Sequence, residues 1–197
     1  DNAANFNKPD EIKKDFVVER GTAKGVDFLL KYDYRKFYFW AVYSIGISDR
    51  FDGVRTYAPH FDRRHNVNLV GNYKLGKNES WAISARWNYG SGFPTTKTAG
   101  FYELLPFADG LSTDITNANG ILEILYGPLN EGRLPDYHRL DLSASKTFTF
   151  SRNSNLEITA SVTNAYNREN IFYFHRIRYE RVNQLPVLPS LGATLSF

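Results

Sequence analysis

The feature that most limits what this chain can become is a two-residue alternation. It recurs in seven long stretches, joined by connections that are alternately short and long. Side chains alternate across an extended strand, so each stretch carries one apolar row and one polar row. The last stretch, 189–197, is the plainest: Leu191, Ala193, Leu195 and Phe197 fall on one side, and Ser190, Gly192, Thr194 and Ser196 on the other. In 17–34, Phe28, Leu30, Tyr32 and Tyr34 oppose Asp27, Lys31 and Asp33. The return strand, 37–48, carries Phe39, Ala41, Tyr43, Ile45 and Ile47 on one face. In 63–75, Val67, Leu69, Tyr73 and Leu75 oppose Asn66, Asn68, Asn72 and Lys74. In 80–90, Trp81, Ile83, Ala85, Trp87 and Tyr89 oppose Ser84, Arg86 and Asn88. Stretch 137–150 sets Leu140, Leu142, Ala144, Phe148 and Phe150 against Arg139, Asp141, Ser143, Ser145 and Thr147. Stretch 155–166 sets Leu156, Ile158, Ala160 and Val162 against Glu157, Thr159, Ser161 and Thr163.

The connections measure about 2, 14, 4, 45, 4 and 20 residues, the outer-membrane barrel pattern of tight periplasmic turns and long extracellular loops. Residues 1–16 read as a further extracellular loop. Within the longest connection, 121–126 (ILEILY) reads as a short strand, and 171–179 reads as a hairpin arm. The pattern sets direction: the last strand descends, and the C-terminus is expected on the periplasmic side. Aromatics cluster beside the short turns (Tyr34, Phe37 and Phe39; Tyr73 and Trp81; Phe148 and Phe150; Phe197), as an interfacial girdle would. Alternation alone suits a soluble sandwich or barrel equally well. Loop asymmetry, girdle and aromatic terminus together select a membrane barrel. Seven is an odd number, and seven antiparallel strands would leave two raw edges in lipid. The expectation is therefore an all-β, antiparallel transmembrane β-barrel segment, with strands 17–197 forming part of a larger barrel and upstream strands missing.

Composition removes other classes. The net charge of +3 is scattered along the chain, which argues against a nucleic-acid arm. There is no cysteine, hence no disulfide framework or thiol chemistry. Mean hydropathy is −0.43 and no apolar run approaches the ~20 residues of a membrane helix, a test that strands with one polar face escape. No methionine and no signal peptide appear, so a processed chain or a fragment is expected.

Several stretches resemble the C-terminal barrel of TonB-dependent outer-membrane receptors in their Bacteroidota form. They are GTAKGVDF (21–28), HFDRRHNVNL (60–69), RWNYGSGFP (86–94), RLPDYHRLDLS (133–143), SVTNAYNREN (161–170) and the terminal LSF. The resemblance implies a barrel of about twenty-two strands with a plugged lumen, of which this chain would be roughly the last third. It implies energy-dependent uptake of a scarce nutrient: a siderophore, cobalamin, glycan or peptide. The implied partners are the rest of the barrel and plug, the TonB energy complex acting through that plug, membrane lipid and lipopolysaccharide, and a surface lipoprotein lid. No cofactor is implied.

Candidate site residues lie in the long loops. Phe93, Phe101 and Tyr102 read as ligand-stacking aromatics. His175, Arg176, Arg178 and Arg181 form a basic run, with Glu180 as counterweight; it reads either as an acidic-ligand site or as a solvated hairpin arm. Trp87 and Tyr89 beside Gly90-Ser91-Gly92 lie in the lipid-facing register and read as girdle. His60, Asp62 and His65 read as rim polar contacts rather than a metal site. Arg63-Arg64 and His138-Arg139, after Asp62 and Asp136, read as rim salt bridges ahead of contacts to lipopolysaccharide or substrate. No catalytic signature appears: Gly90-Ser91-Gly92 lacks nucleophile-elbow spacing. An outer-membrane barrel enzyme and a soluble β-rich binding or adhesin module remain the competing classes.

Overall fold

In a computed structural model the described residues are 19–104, 120–151 and 154–197. The expected loop at 1–16, the turn signals at Pro106 and Gly110, and the centre of the turn at 151–154 lie outside them.

The chain is all-β and antiparallel. Seven long strands lie side by side in strict chain order: β1 (Arg20–Tyr34), β2 (Phe37–Phe51), β4 (His65–Leu75), β5 (Trp81–Gly90), β10 (Tyr137–Ser151), β11 (Ser154–Thr163) and β14 (Leu188–Ser196). Each pairs antiparallel with the next, and β1 and β14 are the outer strands of an open path. The short β3 (Thr56–Tyr57) extends the outer end of β2.

The short connections are tight because a few residues adopt left-handed backbone. Arg35 turns β1 into β2 at φ 54°. Gly76, Asn78 and Glu79, at φ 84°, 60° and 53°, build the 3-10 turn between β4 and β5. Stretch 155–166 ends its ladder at Thr163, because Asn164 takes φ 54° and leaves the strand.

The long connections are folded. Between β5 and β10, β6 (Pro94–Thr95) pairs with β9 (Gly132–Arg133), and inside that pair β7 (Thr98–Leu104) pairs with β8 (Ile121–Tyr126), the ILEILY strand. Between β11 and β14, β12 (Ile171–His175) and β13 (Glu180–Asn183) form the expected hairpin. These structures all stand at the end of the sheet opposite the tight turns.

Register fixes the two faces. One carries Phe28 beside Tyr43 beside Val67, then Leu69 beside Trp87 beside Leu140, and Leu142 beside Val162, and so runs from β1 to β11. Leu191, Ala193 and Leu195 continue it on β14. The other face carries Asn68 beside Asn88 beside Arg139, and Ser84 beside Ser143 beside Ser161 beside Ser190. No second layer covers the apolar face among the described residues. Among the described residues no hydrophobic side chain is buried; Phe28 is 59 % exposed and Leu191 79 %.

The polar face has one exception. Leu29 opposes Val42, and Trp40 opposes Val70, so an apolar island interrupts the hydrophilic row on β1, β2 and β4. Conversely, Lys146 stands in the apolar row, opposite Trp81 and Ile158. Its ammonium lies 4.9 Å from the Trp81 ring centroid and 4.7 Å from that of Phe148. A lysine stem laid along rings with its charge at their edge is how such a side chain sits at a water boundary.

Candidate functional site

Among the described residues no hydrophobic side chain is buried, and the long connections are held by buried polar groups. The buried polar side chains among the described residues are Asp62, Asn164 and Asn170, and each is hydrogen-bonded. Asp62 accepts from the Ser48 N–H at 2.9 Å and from Arg133 Nη2 at 2.5 Å, with Arg64 Nε at 3.7 Å. Arg133 Nη1 also donates to the carbonyls of Asp62 and Gly92. This ties the loop after β3 to β9. Burial pushes the Asp62 carboxyl upward, but Arg133 and the Ser48 amide more than reverse it and hold it below the usual carboxylate range.

Asn164 donates from Nδ2 to the carbonyls of Arg168 and Leu185, while its Oδ1 accepts from the Arg168 N–H. Its own N–H donates to Asp141 Oδ1. Asn170 pairs with the backbone of His138 through both amide atoms, standing in for a strand neighbour. Asn167 accepts from the Val187 N–H. Asn164 and Asn170 thus clip the β11–β14 connection to β10, and Asn167 ties that connection to itself.

Gly90-Ser91-Gly92 has a local structural purpose. A Cβ on Gly90 would collide with the Arg63 guanidinium, and one on Gly92 with the Leu134 carbonyl. Ser91 Oγ accepts from the His65 N–H at 3.0 Å. Asp136 accepts from Tyr89 Oη at 2.7 Å and from the Gly92 N–H at 2.9 Å, and both lower its carboxyl pKa. Asp62 and Asp136 therefore serve rim ion pairs and hydrogen bonds. Among the described residues no group of three or more His, Asp or Glu side chains is arranged to hold a metal ion.

The candidate ligand residues separate into two groups. Phe101, His175 and Arg176 come together in a cleft of about 520 Å³ between the β7–β8 and β12–β13 hairpins, with Phe174, Tyr179 and Lys97. Phe101 meets Tyr179 edge-on, with ring centroids 5.9 Å apart. A second cleft of about 580 Å³ adjoins it, sharing Thr95, Thr96 and Arg176 and adding Arg55, His60 and Tyr126. Arg176 stands where the two meet. Its Nη1 donates to Thr98 Oγ1 at 3.0 Å, its Nη2 lies 3.4 Å from Thr95 Oγ1, and its guanidinium is 5.5 Å from the centre of the Tyr126 ring.

The others stand apart. Phe93 lies under the Arg63 guanidinium at 4.1 Å and does not line either cleft. Tyr102 is half exposed on β7 opposite Glu123. Arg178 sits in the β12–β13 turn, where its backbone N–H lies 3.3 Å from His175 Nδ1. Arg181 is paired with Glu169.

Thr95, Thr98, Tyr126 and Tyr179 escaped the sequence reading. The threonines partner Arg176 across 81 and 78 residues, and no local pattern marks them. The one available signal is the Thr95-Thr96-Lys97-Thr98 run behind Pro94, a cluster of small donors in a connection too long for mere chain closure.

No family model matches the chain, and no curated protein or solved structure matches it.

Proposed function

We propose that the chain is wall and outer loops of an outer-membrane TonB-dependent transporter for a scarce nutrient, with its apolar face against lipid and its C-terminus on the periplasmic side. The observation that carries this reading is the sheet itself: seven ordered strands with one largely apolar face, on which no described hydrophobic side chain is buried. A sheet of that size has lost the option of a soluble core, because its apolar row would remain in water. In acyl chains the same row is solvated, provided every backbone group is paired. Both free edges then call for further strands, so the sheet belongs to a larger closed barrel.

The division of ends supports the reading. Tight turns at one end and folded, cleft-bearing loops at the other suit a wall that meets the periplasm below and ligand above. Trp81, Phe148 and Lys146 beside the tight turns suit the lower interface. The hydrophilic face, with Asn68, Asn88, Arg139 and Asp141, suits contact with water or a polar plug. The apolar island of Leu29, Trp40, Val42 and Val70 suits contact with something less polar than water inside the wall.

Uptake and fractionation test the proposal. The protein should sediment with outer membranes, resist salt and carbonate extraction, and need detergent for release. Nutrient accumulation should collapse when the inner-membrane energy complex is deleted. Release into the soluble fraction by salt, or uptake indifferent to that deletion, would refute it.

A further inference from the structure

We propose that the paired clefts around Arg176 bind a ligand that joins an anionic group, a carboxylate or a phosphate, to an aromatic or apolar body, with Arg176 as the anion anchor. As a nutrient site this rests on the transporter reading, and it adds the chemical class of what is taken up.

Three observations carry it. First, Arg176 is positioned but not neutralised. Its neighbours among the described residues are two threonine hydroxyls and a tyrosine ring, with no carboxylate in ion-pair range. Arg181, five residues on, is instead paired with Glu169, so cations in this hairpin find carboxylates where these are offered. A guanidinium with part of its donor fork held by hydroxyls keeps donors for an incoming anion, and the two threonines fix its plane.

Second, the lining has one sign. Lys97 accompanies Arg176 in the first cleft and Arg55 in the second, beside His175 and His60, and among the described residues no Asp or Glu lines either. Asp52 partly offsets Arg55, at 3.3 Å from its Nε. Walls of one sign around a concave space raise the local concentration of anions.

Third, both clefts also present aromatic rings. Phe101, Phe174 and Tyr179 line the first cleft and Tyr126 the second, and the Phe101–Tyr179 edge contact fixes two of these rings. Clefts of about 520 and 580 Å³ each lie within the range that encloses a small organic molecule. A bare inorganic anion would leave the rings unused, and a neutral sugar would leave the cations unused.

The test is titration of the full chain in non-ionic detergent with 1-naphthoate and its neutral isostere 1-naphthamide. Wild type should prefer the carboxylate by about tenfold, the scale of one charge-assisted hydrogen-bonded pair. Arg176→Gln should reduce that preference to less than about twofold, and Arg176→Lys should restore part of it, because the charge returns without the fork. Arg178→Gln should leave it intact. Equal binding of acid and amide by wild type, or equal loss in the Arg176→Gln and Arg178→Gln variants, overturns the proposal. Lipopolysaccharide added to the micelles separates the two sources of anion. Unchanged naphthoate affinity supports a free ligand, and competitive displacement sensitive to Arg176→Gln overturns the free-ligand assignment in favour of a lipid phosphate. The titration runs identically whether or not the chain resides in a membrane. A flat result therefore removes the ligand class and leaves the transporter reading to fractionation and energy dependence.

Discussion

Asp62 and Arg133 stand 71 residues apart in the chain, yet their contact fixes how two outer connections meet. Asp62 is almost wholly buried, whereas Arg133 keeps about a third of its side chain in water. Breaking a buried pair from the buried side strands the partner charge. Asp62→Asn should loosen the loops by about 2 kcal/mol, read as faster amide hydrogen exchange at Leu134 and Ser48. The pH dependence follows from the lowered carboxyl. Its stabilisation is complete above the unfolded-state value near ~3.9 and is lost as pH falls through the lower folded value. Exchange at those amides, corrected for intrinsic rate, should be flat from about pH 8 to 5 and rise below about 4. Asn164 carries a different load. It is fully buried, makes four hydrogen bonds and holds φ 54°. Asn164→Ala should cost about 3 kcal/mol in unfolding midpoint analysis, and Asn164→Gly should recover about 1 of it, because glycine relieves the backbone but not the lost bonds.

At the scale of elements, the alternation was readable because most of the long strands are polar on one side and apolar on the other. Rows such as Ser84–Arg86–Asn88 against Ile83–Ala85–Trp87 leave no second register. Strand β2 was less legible: Tyr38, Trp40 and Val42 alternate with Phe39, Ala41 and Tyr43, so both rows are apolar and only pairing with Asn72, Val70 and Asn68 assigns the faces. The tight turns were legible from their shortness, although Arg35 and Glu79 take left-handed backbone where glycine would be expected. The folded loops were legible only in part. ILEILY and the alternating run at 171–179 announce themselves, whereas the return strand β13 at 180–183 does not. The two-residue pairing of β6 with β9 has no periodicity to read, and Arg176's threonine partners lie across the molecule from its own hairpin. The face assignment makes a direct prediction. Leu142 lies mid-sheet in the apolar row, between Ala85 and Val162. Leu142→Arg should destabilise the protein refolded in lipid bilayers by about 2–4 kcal/mol, while Ser143→Arg, one residue away on the polar face, should cost less than about 1.

For the whole molecule, the account turns on where the apolar face points. Among the described residues of this sheet no hydrophobic side chain is buried, so its apolar row is open to whatever surrounds it. On the transporter reading proposed above, acyl chains on one side and water or a polar plug on the other would supply its two environments. The absence of cysteine makes this directly measurable, since single cysteines can be placed at will. Spin labels at Ala85, Ala144 and Ala193, all in the apolar row, and at Ser84, Ser143 and Ser190, all in the polar row, sample both faces of three strands, β5, β10 and β14. In reconstituted bilayers, the alanine positions should collide freely with oxygen and poorly with a water-soluble nickel chelate, and the serine positions should show the reverse order. Alanine positions shielded from both reagents, with serine positions open to the chelate, would put the apolar face inside a dry protein core and contradict the account.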